Sequence, residues 1–197
     1  MTATLQRHAI GLTWIDPGKT GRSAHAVRSQ GRVWLIDPFD DPPALAEAGS
    51  LGAPAGVIQL LDRHNRDCEA IASRLGVALL RVPDGAPDTP FEVIKILSRY
   101  SWHEVALWWE REGALFVAEA IGTAPAIALG RRAGVHPMLR LTPPRSQLAP
   151  YRPSMLLVGH GPAIEADAAV ALDDALARSR SDIPRFITSL PRLVLGR

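Results

Sequence analysis

The stretch QLLDRHNRDCEAIASRLG, residues 59–76, decides how the rest of the chain is read. It opens on an apolar strand, crosses a polar turn holding Asp62, Arg63, His64, Asn65, Arg66, Asp67 and Cys68, and continues as a helix over about 67–75 that Gly76 stops. The turn is either a place for a metal ion or only a charged strand–helix junction.

Working outward, residues 8–16 read as a strand before a turn at Pro17–Gly18, and 23–29 and 32–37 as a hairpin across Gln30–Gly31. A short helix is expected in 40–49, with prolines near its start and Gly49 at its end. A strand over 56–62 leads into the polar turn. Downstream, 77–82 is a strand, 83–90 a loop, and 91–97 and 104–110 are strand-like. In the last of these, Val105, Leu107 and Trp109 alternate with Ala106 and Trp108, so both faces are apolar and the strand is expected to be covered on both sides. Arg111–Gly113 turns it back into 114–120. Residues 122–153 carry six prolines, and one short helix near 124–131 is expected among ordered loop. A buried strand at 154–160, an amphipathic helix over 163–179 and a short final helix close the chain. Paired strands followed by alternating strands and helices imply α/β layers with mixed sheets in a single domain over 1–197.

Composition narrows the classes. The chain has 197 residues, 47% hydrophobic and 21% charged, which suits a self-supporting core and not disorder. Twenty-two basic against 20 acidic residues leave a formal charge of +2, the arginines are scattered, and no nucleic-acid partner is expected. Cys68 is the only cysteine, so no internal disulfide forms. No apolar run approaches the ~18–20 residues that span a bilayer, and the first residues do not read as a signal peptide; a cytoplasmic protein without a membrane partner is expected. Gly18-Lys19-Thr20 lacks the earlier glycine and following helix of a phosphate loop, and neither G-x-S-x-G nor G-x-G-x-x-G occurs.

Four segments stand in a telling order: RVWLIDPF with Asp37, LLDRHNRDC, ALFVAEAIG with Glu119, and LLVGHGPAI with His160. This order resembles the metallo-β-lactamase superfamily, including its glyoxalase-II-like branch, over nearly the whole chain. The resemblance implies a four-layer αββα sandwich, two mixed sheets flanked by helices, with a metal site at one sheet edge. The superfamily's His-x-His-x-Asp-His motif falls on Arg63, Asn65, Asp67 and Cys68, its bridging aspartate on Glu119 and its final histidine on His160. Its middle histidine has no clean match; His103 is nearest. Arginine is a permanent cation with no lone pair to give a metal, so the first metal position is expected to be lost.

The second position would be built from Asp67, Cys68, Glu119 and His160, all competent zinc ligands. The pocket around it would include Arg63, His64, Asn65 and Asp37, with Asp37 supporting the loop beneath and His64 solvated or behind the ligands. Plainer roles stand beside these. Cys68 reads more readily as a small buried apolar residue than as a ligand and Asp67 as a helix cap, while His160 reads equally as the holder of a tight turn. Arg63 and Arg66 read as ion-pair partners of Asp67 or Glu119. Two functions follow: a metal-free protein binding a small molecule in the sheet-edge cleft, or a one-zinc hydrolase of an ester, thioester or lactone, with Arg63 holding an anionic group. A self-associating module using 137–153 and the apolar tail is a third; the sequence leaves oligomeric state open.

Overall fold

The computed structural model describes residues 2–64, 66–100 and 102–195. Strands β1 (Thr4–His8), β2 (Gly11–Ile15), β3 (Ser23–Ser29), β4 (Arg32–Ile36), β5 (Ala53–Gln59) and β6 (Leu79–Arg81) form a six-stranded sheet in chain order. The first four pair antiparallel; β4–β5 and β5–β6 are parallel. A second sheet has the order β12 (Met155–Val158), β9 (Ala114–Val117), β8 (Trp102–Trp109), β7 (Glu92–Arg99), with β12 and β9 parallel and the other pairs antiparallel. A third, small ladder joins β10 (Ile121–Gly122) to β11 (Gly134–Val135). Both main sheets are mixed, as the strand order in the sequence implied.

The period-2 pattern assigns each face. Along β4, Trp34 and Ile36 enter the core between the sheets, while Val33 and Leu35 enter an outer core. That outer core is closed by Ala44 and Ala48 of α1 (Pro42–Ser50) and by Cys68, Ile71 and Ala72 of α2 (Cys68–Leu75). Asp41 caps α1, its carboxylate accepting the Ala44 N–H at 3.0 Å, and Gly76 ends α2 at φ 65, where a side chain would be strained. On the other side α5 (Ala168–Arg178) packs Ala168, Ala171, Leu172, Ala175 and Leu176 onto the four-stranded sheet, touching β12. The layers therefore run helix, sheet, sheet, helix. In β8, Val105, Ala106, Leu107 and Trp109 are all buried, which fits a strand covered on both faces.

The strand expected over 8–16 is the shorter β2, preceded by β1, a strand not expected from the sequence. Residues 9–10 form the turn that joins β1 to β2, and β1 is the edge strand of the sheet. Residues 122–153 hold more structure than expected: α3 (Pro125–Ala128), β11 and α4 (Arg145–Leu148). Helix α6 (Ile183–Leu195) follows α5. Between the sheets His25 of β3 links them. Its Nε2–H donates to Val158 O at 3.1 Å, and its Nδ1 accepts from the Thr13 hydroxyl at 2.8 Å.

Candidate metal centre

Strand ends from both sheets meet at one edge. β4 ends at Asp37, a non-glycine residue in the left-handed region at φ 47. Its buried carboxylate takes the Leu60 N–H on Oδ1 at 2.9 Å and the His64 Nδ1–H on Oδ2 at 3.1 Å. A tight turn follows β5: the His64 N–H donates to Leu61 O at 3.2 Å and the Arg66 N–H to His64 O at 2.7 Å. It leaves the His64 side chain 6% exposed.

Glu119 lies just beyond β9. Its backbone N–H and that of Ala120 both donate to Oε1 of Glu104 at 2.9 Å, and the Trp102 Nε1–H donates to Oε2 at 2.9 Å. Glu104 is fully buried, and burial raises its pKa against the pull of these three donors.

His160 leaves β12 between two glycines that only glycine could occupy. A Cβ on Gly159 would stand 2.3 Å from Ala118 O, and one on Gly161, at φ 98, would stand 2.3 Å from Ala124 N. The Thr123 and Ala124 N–H groups donate to His160 O at 2.9 and 3.0 Å, and the His160 Nδ1–H donates to Thr20 O at 3.0 Å.

These fixings bring three donor atoms together. His64 Nε2 is 3.5 Å and His160 Nε2 is 3.8 Å from Glu119 Oε1, and the three ligand atoms all lie within 4.8 Å of one another. Asp37 and the Thr20 carbonyl can only accept, so each imidazole carries a proton on Nδ1, and its Nε2 faces Glu119 as a lone pair when the ring is neutral and as a donor when it is protonated. His64 Nε2 is buried and has no hydrogen-bond partner among the described residues. Burial opposes the charged form of His64, but the Asp37 and Glu119 carboxylates outweigh it and raise its pKa above the ordinary value. Burial likewise opposes ionisation of Glu119, and His160 and His64 overcome it, holding its carboxyl well below the usual range.

Arginines frame the cluster. Arg63 donates to Glu119 Oε2 at 2.7 Å and lies 4.0 Å over the Trp102 ring, which meets the His136 ring nearly at right angles with centroids 5.1 Å apart. Arg66 donates to the carbonyls of Ser23, Asp37 (3.0 Å) and Gly159 (2.9 Å), joining both sheets beneath the site.

Of the four residues expected to ligate, Glu119 and His160 come together, while Asp67 and Cys68 lie outside the cluster. The cause is where α2 begins. Its first turn faces the outer side of the six-stranded sheet, so Cys68 packs with Ile71 and Ala72, its Sγ 3.7 Å from Pro38 O. Burial pushes its thiol pKa up, away from the thiolate a metal needs. The Asp67 carboxylate accepts the Asp40 N–H at 2.8 Å and does not cap α2. Among the pocket residues, Arg63, His64 and Asp37 are placed as described; Asn65 lies outside the described residues. His103 pairs with Asp62 at 2.8 Å and is not in the cluster. The donor role of His64 and the clamp of Glu104 were missed. His64 occupies a spacer position of the motif, and only the direction of the 61–66 turn reveals that it points inward.

This arrangement, two mixed sheets sandwiched between helices with candidate ligands at strand ends, is the metallo-β-lactamase fold. The sequence matches no protein-family model and no curated protein. Solved structures match it along nearly their whole length: a metallo-β-lactamase from Pontibacter korlensis (14% identity, 93% of this chain and 99% of that one, TM-score 0.64), VMB-1 (11%, 91% and 97%, 0.63) and DIM-1 metallo-β-lactamase (13%, 92% and 96%, 0.58).

Proposed function

We propose that this protein binds one divalent metal ion, zinc in the first instance, through His64, Glu119 and His160, and acts as a one-metal hydrolase on an ester, thioester or lactone. The observation that carries this reading is His64 Nε2. It is a buried polar atom that makes no hydrogen bond of acceptable length and angle among the described residues, and it is aimed at the Glu119 carboxylate 3.5 Å away and at a second imidazole. Leaving such an atom unpaired costs about 1–3 kcal/mol, which a ligand would recover. The donor spacings of 3.5 and 3.8 Å are close to the roughly 3.3 Å separating ligands that sit 2.0–2.1 Å from a tetrahedral ion. Two histidines and one glutamate form a ligand set known in catalytic zinc sites, and three protein donors leave a fourth position open. Asp37 and Thr20 O supply the outer contacts that fix ligating imidazoles.

A bound divalent ion supplies Lewis-acid chemistry, polarising an acyl carbonyl. The chain's own residues do the rest. Arg63 holds Glu119 Oε2, so that Oε1 faces the two imidazoles, and its guanidinium, spread on Trp102, is placed to hold an anionic substrate group. Glu104 fixes the 119–120 backbone from behind, and Trp102 and His136 wall one side. Arg63 and Asn65 stand where the motif has its first two histidines and supply no imidazole for a second metal, so a two-metal mechanism is not part of this reading.

The ion pair of Arg63 with Glu119 favours a second reading, a metal-free site that binds a small molecule. Competition against a chromophoric chelator separates the two. One equivalent of zinc is expected in the wild-type protein, at least 100-fold weaker binding in His64→Ala, and unchanged binding in Cys68→Ala. Absence of zinc binding by the folded wild-type protein, or loss in Cys68→Ala with retention in His64→Ala, defeats the metal reading. Zinc bound without turnover across an ester, thioester and lactone panel defeats the hydrolase alone.

A further inference from the structure

We propose that α6 and the arginine-lined groove beside it dock this protein onto an anionic lipid surface, with α6 lying in the interface plane. Nothing in this inference depends on the metal site.

In the sequence, Ile183, Phe186, Ile187, Leu190, Leu193 and Val194 recur at three- and four-residue spacing along α6. From 183 to 197 the chain carries Arg185, Arg192 and Arg197 and no aspartate or glutamate. An apolar stripe on a helix whose charges are all basic is the pattern of interfacial helices. Thirteen residues at 1.5 Å rise give about 20 Å, too short to cross a hydrocarbon core of about 30 Å, so the helix can only lie on a bilayer. Among the described residues no helix is long and apolar enough to cross a membrane.

The protein body uses only part of this stripe. Ile183 and Phe186 are half-buried, whereas Ile187 is 58% exposed. Arg140 anchors the start of α6: its buried guanidinium donates to Val135 O, Ile127 O and Asp182 O and lies 5.1 Å over the Phe186 ring. Its neighbours Met138 and Leu141 are 69% and 66% exposed, and the Arg180 Nε–H holds Leu141 O at 3.1 Å. Val170 of α5, 58% exposed, lines a groove of about 450 Å³ with Arg131, Arg132 and Arg178. Arg185 of α6 reaches the same groove, its guanidinium 3.4 Å from where a Gly130 Cβ would stand. Among the described residues, four of the six exposed large hydrophobic side chains, Met138, Leu141, Val170 and Ile187, thus belong to α6 or to segments that adjoin it, among arginines.

Charge selects the occupant. Asp167 pairs with Arg132 and Asp174 with Arg178, which leaves four groove arginines against two aspartates. A second copy would set this basic face against itself. An anionic bilayer offers both what the arginines attract and an apolar layer for Ile187, Met138 and Leu141.

Sedimentation of the full chain with vesicles tests this. Binding to phosphatidylcholine vesicles containing one quarter phosphatidylglycerol is expected to exceed binding to phosphatidylcholine alone at least tenfold, and to weaken as salt rises. Ile187→Asp is expected to lower it about tenfold with an unchanged melting curve, and Arg131→Gln with Arg185→Gln to reduce its salt dependence. Soluble glycerol phosphate in millimolar amounts is expected not to compete; full competition would show a phosphate site and overturn the bilayer. Equal binding to both vesicle types overturns it too, as does a dimer seen by light scattering that Ile187→Asp abolishes while vesicles go unbound.

Discussion

Replacing Arg66 by methionine is expected to destabilise the fold by about 2–5 kcal/mol. The guanidinium donates to carbonyls from three chain segments: Ser23 at the start of β3, Asp37 at the end of β4, and Gly159 beyond β12. Methionine preserves the stem but leaves the Ser23 and Asp37 carbonyls without this donor, while Gly159 O keeps the Ser23 N–H at 2.8 Å, and each lost partner for a buried acceptor costs about 1–3 kcal/mol. Relief of the burial cost of the charge offsets part of this: burial already lowers the Arg66 pKa, and its Nε is buried without a partner. For a domain of this size each kcal/mol moves the midpoint by roughly 2–4 °C, so a fall of about 4–20 °C is expected by thermal melting, with a matching drop in urea midpoint at unchanged slope. Lysine at 66 keeps the charge but not the planar fork and should fall between the two. A loss below about 1 kcal/mol in Arg66→Met would refute the claim that this guanidinium ties the two sheets together at the site.

Asp37→Asn should weaken zinc binding by roughly 10–100-fold, measured by chelator competition, because the amide no longer fixes the Nδ1–H of His64 as a carboxylate does. Glu104→Gln should lower thermal stability by about 1–3 kcal/mol and weaken zinc binding together, since one amide oxygen cannot serve the Glu119, Ala120 and Trp102 donors. Stability should also respond to pH through His25. Burial, helped by repulsion from His8 and Arg66, lowers its folded pKa to about 3, against about 6.5 when unfolded. Between these values the unfolded chain takes up a proton that the folded chain refuses, so this contribution is complete above pH 6.5 and falls by about 1.4 kcal/mol per pH unit on acidification toward pH 3. Urea titrations of wild type and His25→Gln at pH 7 and pH 5 should converge as pH falls; a constant gap between them would show that His25 is not the cause.

The sequence by itself determined the layers. Alternation in residues 32–37 sends Trp34 and Ile36 one way and Val33 and Leu35 the other, and that local period is enough to require apolar cover on both faces of the sheet. Glu119 and His160 were legible because each ends an apolar strand, and strand ends collect at a sheet edge. Tertiary structure alone decided which side chains in the 62–68 turn look into that edge. Four positions along the chain separate His64, which points in, from Cys68, which packs outward under α2. No local propensity distinguishes them: the direction is set by Asp37 from β4 holding Nδ1 and by the start of α2 on the opposite face. Glu104 was invisible for the same reason. In the chain it is an acidic residue entering an apolar strand, and it gains its role only when the 119–120 backbone arrives with two N–H groups that need an acceptor.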